Sequence, residues 1–303
     1  MLDGIFIANL REDTRGTALT GMHPYKGAAA LRQVKTTAIH PSPEFGQRST
    51  MMPAPVLRSF VIPVLDFSPH SEHNIKTLLD DLDSIDGEVI CIFNSRMVYD
   101  ALHAHPRIDK YCYNSLNAGV SRSWNIGINM AEGRAVFIMN ADLHVKPAAI
   151  DRLETYLFNL PNAVIVGPQG THLDFKNLRI LRYFEKGQFN EPVQTHDVSG
   201  FFFCLDREKF YWHGLMYDVR YSPCFMEEWD MGMQVLKSNL ACYAVPVTDF
   251  EHHWGVSQSQ ENTEINYFGR SVYRNDILIE NKAKFLQKWF DDSKTTHHSA
   301  PSA

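Results

Sequence analysis

The sequence predicts an α/β fold with a mostly parallel sheet covered by helices on both faces. Short β-branched apolar runs alternate with stretches of helical spacing from Ser59 to Gly167, a pattern that points to βαβ units. Runs such as "EVICIF" and "AVIVG" are apolar almost throughout, as strands buried on both faces require. Each run gives way to polar residues, and ligands of open parallel sheets sit beyond the carboxyl ends of the strands.

The elements follow in order. "SFVIPVL" is the first strand. In "PHSEHNIKTLLDDL", Ile75, Leu78, Leu79 and Leu82 share one helical face. "EVICIF" is a strand, "MVYDALHAH" a helix, "KYCYN" a short strand, "VSRSWNIGINMAE" a helix and "RAVFIMN" a strand. "AAIDRLETYLFNL" is again helical and "AVIVG" again a strand. Past Gly170 the alternation stops: "RILRYF" and "HDVSGFFFCL" have strand character, "PCFMEEWDMGMQVLKSN" is helical and "ACYAVPV" is a strand, which predicts a mixed subregion. Residues 1–57 lack sustained periodicity and are expected to form a flexible leader, 58–258 the domain, and 259–303 a helical segment ending in a polar, disordered tail, "DDSKTTHHSAPSA".

The chain has 303 residues, 44% hydrophobic and 21% charged, enough for one large domain or two small ones. A formal net charge of -6 argues against a nucleic-acid binder that works through an overall basic field. The five cysteines, Cys91, Cys112, Cys204, Cys224 and Cys242, form no CxxC pair, and read as small buried residues in a reducing compartment rather than a zinc knuckle or disulfide framework. No apolar run approaches the length of a membrane span, and the start has neither the apolar core nor the flanking charges of a secretory signal. The expectation is a soluble cytoplasmic protein, with attachment to a membrane surface left open.

The strand ends supply candidate site residues: Asp66 after the first, Asn94 after the second, Asn114 to Asn117 after the third, and Asn140 to His144 after the fourth. No GxGxxG follows the first strand and no GxxxxGK[ST] occurs, so any nucleotide is held by another arrangement. In "NAGVSRSWNIG", Gly119 can open a helix at close backbone approach and Arg122 can meet a phosphate bidentately. The same stretch has a purely local reading, in which Asn117 and Gly119 turn the chain while Asn125 and Gly127 permit tight helix packing. "FIMNADLHV" ends a buried strand on Asn140, Asp142 and His144 at alternate positions. These are potential metal or phosphate ligands, and equally ordinary strand-to-loop residues.

The succession "FVIPVL", "CIFNS", "NAGVSRSWNIGI", "FIMNADLHV", "VSGFFFCLDREKF", "FMEEWDMGMQV" and "HHWGVS" resembles the inverting family-2-like glycosyltransferases of the glycosyltransferase-A (GT-A) fold, over residues 59 to 258. The resemblance implies a GT-A sheet with an acceptor-side subregion, a nucleotide-sugar donor, and a divalent cation, Mn²⁺ or Mg²⁺. "NAD" stands where that family carries its DxD-type element, which makes Asp142 the metal ligand. Asn140 departs from the first Asp, and its amide oxygen coordinates more weakly. "EHHWGVS" is similar to the late His-x-x-Gly element through His252 and Gly255; His252 then completes the metal site or contacts the diphosphate, whereas the alternative is a histidine that packs beside Trp254. "MEEWD" is similar to the acidic ED-x-D helix start, read as Glu227, Glu228 and Asp230, with Glu228 at the catalytic position where the family has Asp. Carboxylates in a first helical turn are also favoured by the dipole. By the same resemblance Asp66 and Asn94 border the nucleoside pocket, and Asn117, Arg122, Asn125 and Asn140 line the donor side.

The expected function is therefore metal-assisted transfer of a sugar, with inversion, from a nucleotide-diphosphate sugar to a hydroxyl of a saccharide, lipid-linked or protein acceptor. One rival is a nucleotidyltransferase, which would carry a Gly-rich basic loop where this chain has "DFSPHSEHN". Another is a non-catalytic nucleotide-sugar binding module on the same fold.

Overall fold

The computed structural model describes residues 58–68, 71–252 and 262–291, together with the strand Phe45–Gln47. Its centre is a nine-stranded sheet. In chain order these strands are β1 (Phe45–Gln47), β2 (Arg58–Val64), β3 (Glu88–Phe93), β4 (Lys110–Tyr113), β5 (Ala135–Met139), β7 (Ala163–Gly167), β10 (Val193–Thr195), β12 (Phe202–Asp206) and β13 (Ala241–Ala244). Their spatial order is β1-β4-β3-β2-β5-β12-β7-β13-β10. Strands β4, β3, β2 and β5 run parallel, β7 and β13 run parallel, and β12 enters between β5 and β7 in the opposite direction. The expected mostly parallel α/β architecture is what the chain adopts.

Alternation along the strands builds two cores. Phe60, Ile62 and Val64 of β2 face one side with Cys91, Phe93, Phe137 and Met139, whereas Val61 faces the other with Ile90, Ile92, Val136 and Ile138. Helices α1 (Ile75–Leu82), α2 (Arg96–Leu102) and α4 (Pro147–Asn159) cover the first face; α3 (Val120–Met130), α5 (Arg207–Trp212) and α6 (Glu227–Lys237) cover the second. The predicted face of α1 is buried at all four positions, Ile75, Leu78, Leu79 and Leu82. Asn74 closes its N-terminus in a capping box with Thr77. Gly127 has the packing role foreseen for it: a Cβ there would lie 2.1 Å from Val61 Cγ1, so α3 can lie on β2 only without a side chain at that point.

Three differences from the sequence expectation have physical causes. "HDVSGFFFCL" is broken into β11 (Asp197–Val198) and β12, because Ser199–Phe201 turn from one sheet into another. Strand β11 pairs with β8 (Gly170–Asp174), which pairs with β9 (Arg179–Phe184), in a separate three-stranded sheet. The helix of "PCFMEEWDMGMQVLKSN" begins only at Glu227, since Phe225 and Met226 have φ of 74° and 76° and cannot continue a right-handed turn. The segment after 259, expected to be helical, opens with a hairpin, β15 (Glu264–Tyr267) and β16 (Arg270–Tyr273), before helix α7 (Arg274–Phe290). Phe268 and Gly269 both have positive φ, as a two-residue hairpin turn needs.

Of the expected leader, β1 ends the sheet beside β4, and residues 1–44 and 48–57 lie outside the described residues. So do His253, Trp254, Gly255 and the tail from 292. Among the described residues no helix is long and apolar enough to cross a membrane.

Candidate active site

The carboxyl ends of β2, β3, β4, β5 and β7 lie along one rim, and the amino end of the reversed strand β12 joins them. The residues collected there are Asp66, Asn94, Asn114, Asn140, Gln169 and Phe201. A cleft of about 380 Å³ opens at the rim, lined by Gln169, Glu185, Lys186, Phe201, Phe250 and His252 among others. That volume lies within the range of small-molecule sites.

Asn140 and Asp142 follow β5 directly. The Asn140 N–H donates to Phe201 O at 2.8 Å, tying the end of β5 to the start of β12. Strand β6 (Leu143–Val145) then pairs with β14 (Phe250–His252) in the register His252 to Leu143, and this pairing carries His252 back over a sequence gap of more than a hundred residues. His252 Nε2 lies 3.4 Å from Asp142 Oδ1 and 3.4 Å from Asn140 Nδ2. Its ring stacks on Phe201 with centroids 4.3 Å apart and planes 14° from parallel. His252 thus packs on Phe201 and lies beside Asp142; Trp254, its expected packing neighbour, lies outside the described residues. His144 is turned elsewhere: its Nδ1 pairs with Asp81 Oδ2 at 2.8 Å and its ring stacks on His73.

The acidic helix start separates into three roles. Asp230 is fully buried and saturated: it accepts from Tyr221 Oη at 3.2 Å, Gln234 Nε2 at 2.8 Å and Trp289 Nε1 at 2.7 Å, and pairs with Lys288 Nζ at 2.7 Å. It joins α6 to α7. Glu227 is buried, its Oε2 makes no hydrogen bond, and burial beside the Glu228 charge holds its carboxyl well above the usual carboxylate range. Glu228 is half-buried against the backbone of Gly200. Burial pushes its carboxyl up to about 7 and the Asp197 charge adds to the shift, while its own N–H and that of Gly200 act in the opposite direction. Asp197, fully enclosed and accepting from Thr171 N at 2.9 Å and Thr171 Oγ1 at 2.6 Å, is itself pushed up to about 6 by burial.

Gly200 joins the candidate site, although the linear pattern placed it only within a strand. A Cβ there would stand 2.4 Å from Glu228 Oε1 and 2.7 Å from the Trp124 ring. The available signal was a glycine interrupting an apolar strand pattern, which marks close approach of another group. Gly200→Ala should therefore displace the Glu228 carboxyl. If Glu228 is a reacting group, turnover should fall about 10²-fold, the cost of misplacing such a group by an ångström, with a much smaller change in melting temperature. Parental turnover in that variant would show that the Gly200–Glu228 contact is incidental.

Most of the remaining candidates are engaged in hydrogen bonds within the protein. The Asn94 amide is committed on both sides: Nδ2 donates to Ser123 Oγ at 2.9 Å, and Oδ1 accepts from Asn114 Nδ2 at 3.2 Å and Ala118 N at 3.1 Å. Asn125 donates to Tyr217 O at 2.7 Å and accepts from Tyr217 N at 3.1 Å. Asn117 caps its own turn through Gly119 N and donates to Asn266 O at 2.8 Å. Arg122 is buried, its guanidinium meeting Tyr267 Oη and lying 5.2 Å over the Phe268 ring. Asn117 and Arg122 thus hold the β15–β16 hairpin beside the rim. Asp66 is exposed and accepts from Ser68 N at 2.8 Å.

The α/β core, the reversed strand entering beside β5 and the polar rim define a glycosyltransferase fold of the GT-A type. Within it, residues 70–212, slightly under half of the chain, match the family model for "Glycosyl transferase family 2". Among solved structures it is similar to one described as the crystal structure of GalNAc-T7 with UDP, GalNAc and Mn²⁺, at 14% sequence identity and a TM-score of 0.56. The match covers 78% of this chain and 48% of that one; at that identity the likeness is one of fold. The search of curated proteins gave no significant match. The matched segment includes Asn140, Asp142 and Gly200 and stops short of Glu228 and His252.

Proposed function

We propose that the protein transfers a sugar, with inversion, from a nucleotide-diphosphate sugar to an acceptor hydroxyl, with Glu228 as general base and Asp142 and His252 as the anchor of the diphosphate. The single observation that carries this reading is the seating of a carboxyl of raised pKa on Gly200, one residue from the Phe201 ring that stacks on His252. A base that titrates near neutral pH is matched to removing a proton from a hydroxyl.

The residues fit a divalent cation that arrives with its substrate. Asp142 and His252 offer two donor atoms 3.4 Å apart, with the Asn140 amide beside them. Among the described residues no group of three or more His, Cys, Asp or Glu side chains is arranged to hold an ion alone. Mg²⁺-type sites commonly rely on one or two carboxylates plus substrate phosphates, so diphosphate oxygens would complete the set here. Bound by Asp142 and His252, Mn²⁺ or Mg²⁺ would neutralise charge on the departing diphosphate. Mn²⁺ and UDP accompany the similar GalNAc-T7 structure, which makes them the first probes.

In the reaction, the acceptor oxygen bonds to the anomeric carbon as that carbon's bond to the diphosphate oxygen breaks. The acceptor proton passes to the Glu228 carboxylate, and the nucleotide diphosphate leaves with the bonding pair. One displacement from the face opposite the leaving group inverts the anomeric centre. A saccharide, lipid-linked or protein hydroxyl satisfies the same chemistry.

The test is a thermal-shift series against UDP-, GDP- and dTDP-sugars with and without Mn²⁺ or Mg²⁺, followed by assay of free nucleotide diphosphate with acceptors present. Ligand at 100 times its dissociation constant should add about 2.7 kcal/mol of stability. Asp142→Ala is expected to abolish the metal-dependent part of that shift and to leave the ligand-free melting temperature nearly unchanged, because Asp142 lies at the rim rather than in the core. Equal metal-linked shifts in variant and parent would remove Asp142 from the site. Acceptor-dependent release of the nucleotide diphosphate separates a transferase from a binding module and from a nucleotidyltransferase.

A further inference from the structure

The cleft has a polar wall that the chemistry above leaves unused. Gln169, just past β7, is only 6% exposed and lines the cleft. Its backbone carbonyl accepts from Ser199 N at 3.0 Å, which fixes the main chain. Its side-chain Oε1 accepts from Tyr183 Oη at 2.8 Å, and the same phenol oxygen lies 2.9 Å from Ser199 Oγ. The pattern has a direction. A Tyr hydroxyl has one proton to give; it goes to Gln169 Oε1, so the Ser199 hydroxyl is the donor to Tyr183. With its carbonyl end held by Tyr183, the Gln169 amide keeps its NH₂ group for a ligand, and among the described residues that nitrogen makes no hydrogen bond. Burial pushes the Tyr183 phenol up to about 12, which keeps it a donor throughout the neutral range.

We propose that Gln169 is a specificity contact of the cleft, donating from its side-chain nitrogen to a hydroxyl of the sugar ring bound there, with Tyr183 and Ser199 as positioning residues. This rests on the transfer reading above. Ser199 precedes Gly200, on whose backbone Glu228 is seated, so the relay and the base share one turn of chain. A sugar hydroxyl is the partner such a donor fits, because it offers two acceptor lone pairs and its position changes between epimers. The hydroxyl can belong to the donor's sugar or to a saccharide acceptor, and kinetics distinguish the two.

The experiment uses the full chain, parent and variants, with the UDP-, GDP- and dTDP-hexose panel, 4-epimer pairs included, and monosaccharide acceptors. Gln169→Ala is expected to raise one KM roughly three- to tenfold, the worth of one hydrogen bond, and to shrink the kcat/KM ratio between the preferred hexose and its disfavoured epimers by a similar factor. A rise confined to the nucleotide sugar places the contact on the donor, and a rise confined to the acceptor places it there. Binding of the sugar-free nucleotide diphosphate with Mn²⁺ should stay parental. Tyr183→Phe should move the same KM in the same direction by less, because the amide is then free to turn; it also decides the matter if Gln169→Ala does not fold. Unchanged KM values and epimer ratios, with an active parent, would overturn this inference alone. A parent that binds and turns over nothing in the panel would overturn the transfer reading and this inference with it.

Discussion

Glu228→Gln should reduce sugar transfer by roughly 10²–10⁴, the range general-base catalysis supplies, while nucleotide-sugar binding survives. The amide keeps the shape of the side chain and much of its hydrogen bonding to Gly200, and removes only the proton acceptor. In the parent, kcat/KM should rise with pH through about 7, where burial has pushed this carboxyl; the variant should lack that limb. Stability should move the opposite way. Between the ordinary carboxylate pKa and about 7 the folded state holds a proton that the unfolded state has lost, so the parent's stability falls as pH rises through that window. Glu228→Gln has no such proton to lose, and at pH 8 it should melt higher than the parent, by on the order of 1–3 kcal/mol, with little difference at pH 4. A group that costs stability when ionised and supplies rate when ionised is what a functional carboxylate should display. Glu227→Gln should show a related stability gain with less loss of turnover, since Glu227 faces the interior. If Glu228→Gln turns over like the parent and Glu227→Gln is dead, the base is the neighbour.

Asp230→Ala should produce the largest loss of stability, about 3–5 kcal/mol, as expected on breaking a buried charge pair. Lys288 would keep Asp218 as its partner at 2.8 Å, but Trp289 Nε1, Tyr221 Oη and Gln234 Nε2 would all lose an acceptor inside the protein. At 2–4 °C per kcal/mol for a domain of this size, the melting temperature should fall by about 10 °C. The effect should reach the site through α7. Asn281, almost fully buried on that helix, donates to Tyr221 O at 2.6 Å, Cys224 O at 2.9 Å and Phe225 O at 3.2 Å. Those carbonyls belong to the loop that passes through the left-handed residues Phe225 and Met226 into Glu227 and Glu228. Phe285 of the same helix packs between Phe175 and Trp229. At low temperature, where Asp230→Ala remains folded, transfer should persist. Parental stability with abolished transfer would instead place Asp230 in the chemistry, as its position in the acidic motif first suggested.

The strands were legible because each is short and apolar, and because parallel packing buries both of its faces, so the signal is local. "EVICIF" and "AVIVG" have the same bounds in the structure as in the sequence; "RILRYF" does too, although it is largely exposed in the antiparallel sheet. The four-residue face of α1 was legible for the same reason. The position of Asp142 at the end of β5 was readable too, since a polar residue directly after a buried strand can only be at the rim. What the linear pattern could not carry was which polar residues still have capacity for a ligand. Asn94, Asn117, Asn125 and Arg122 occupy rim or helix-start positions and have the right chemistry, yet each is engaged by a partner 20 to 149 residues away. The resemblance singled out Glu228 from Glu227 and Asp230, but what surrounds each of the three was not readable within one helical turn. Tertiary contacts divided them: Asp230 meets Lys288 and Trp289, Glu227 is enclosed without a partner for Oε2, and Glu228 rests on Gly200. Local sequence determined the sheet, its cover and the direction of its ligand-binding edge, because those follow from which residues avoid water. The tertiary structure decided which carboxylate is desolvated against Gly200 and which is tied to Lys288 and Trp289, because burial and hydrogen-bond supply depend on chain segments far apart in sequence.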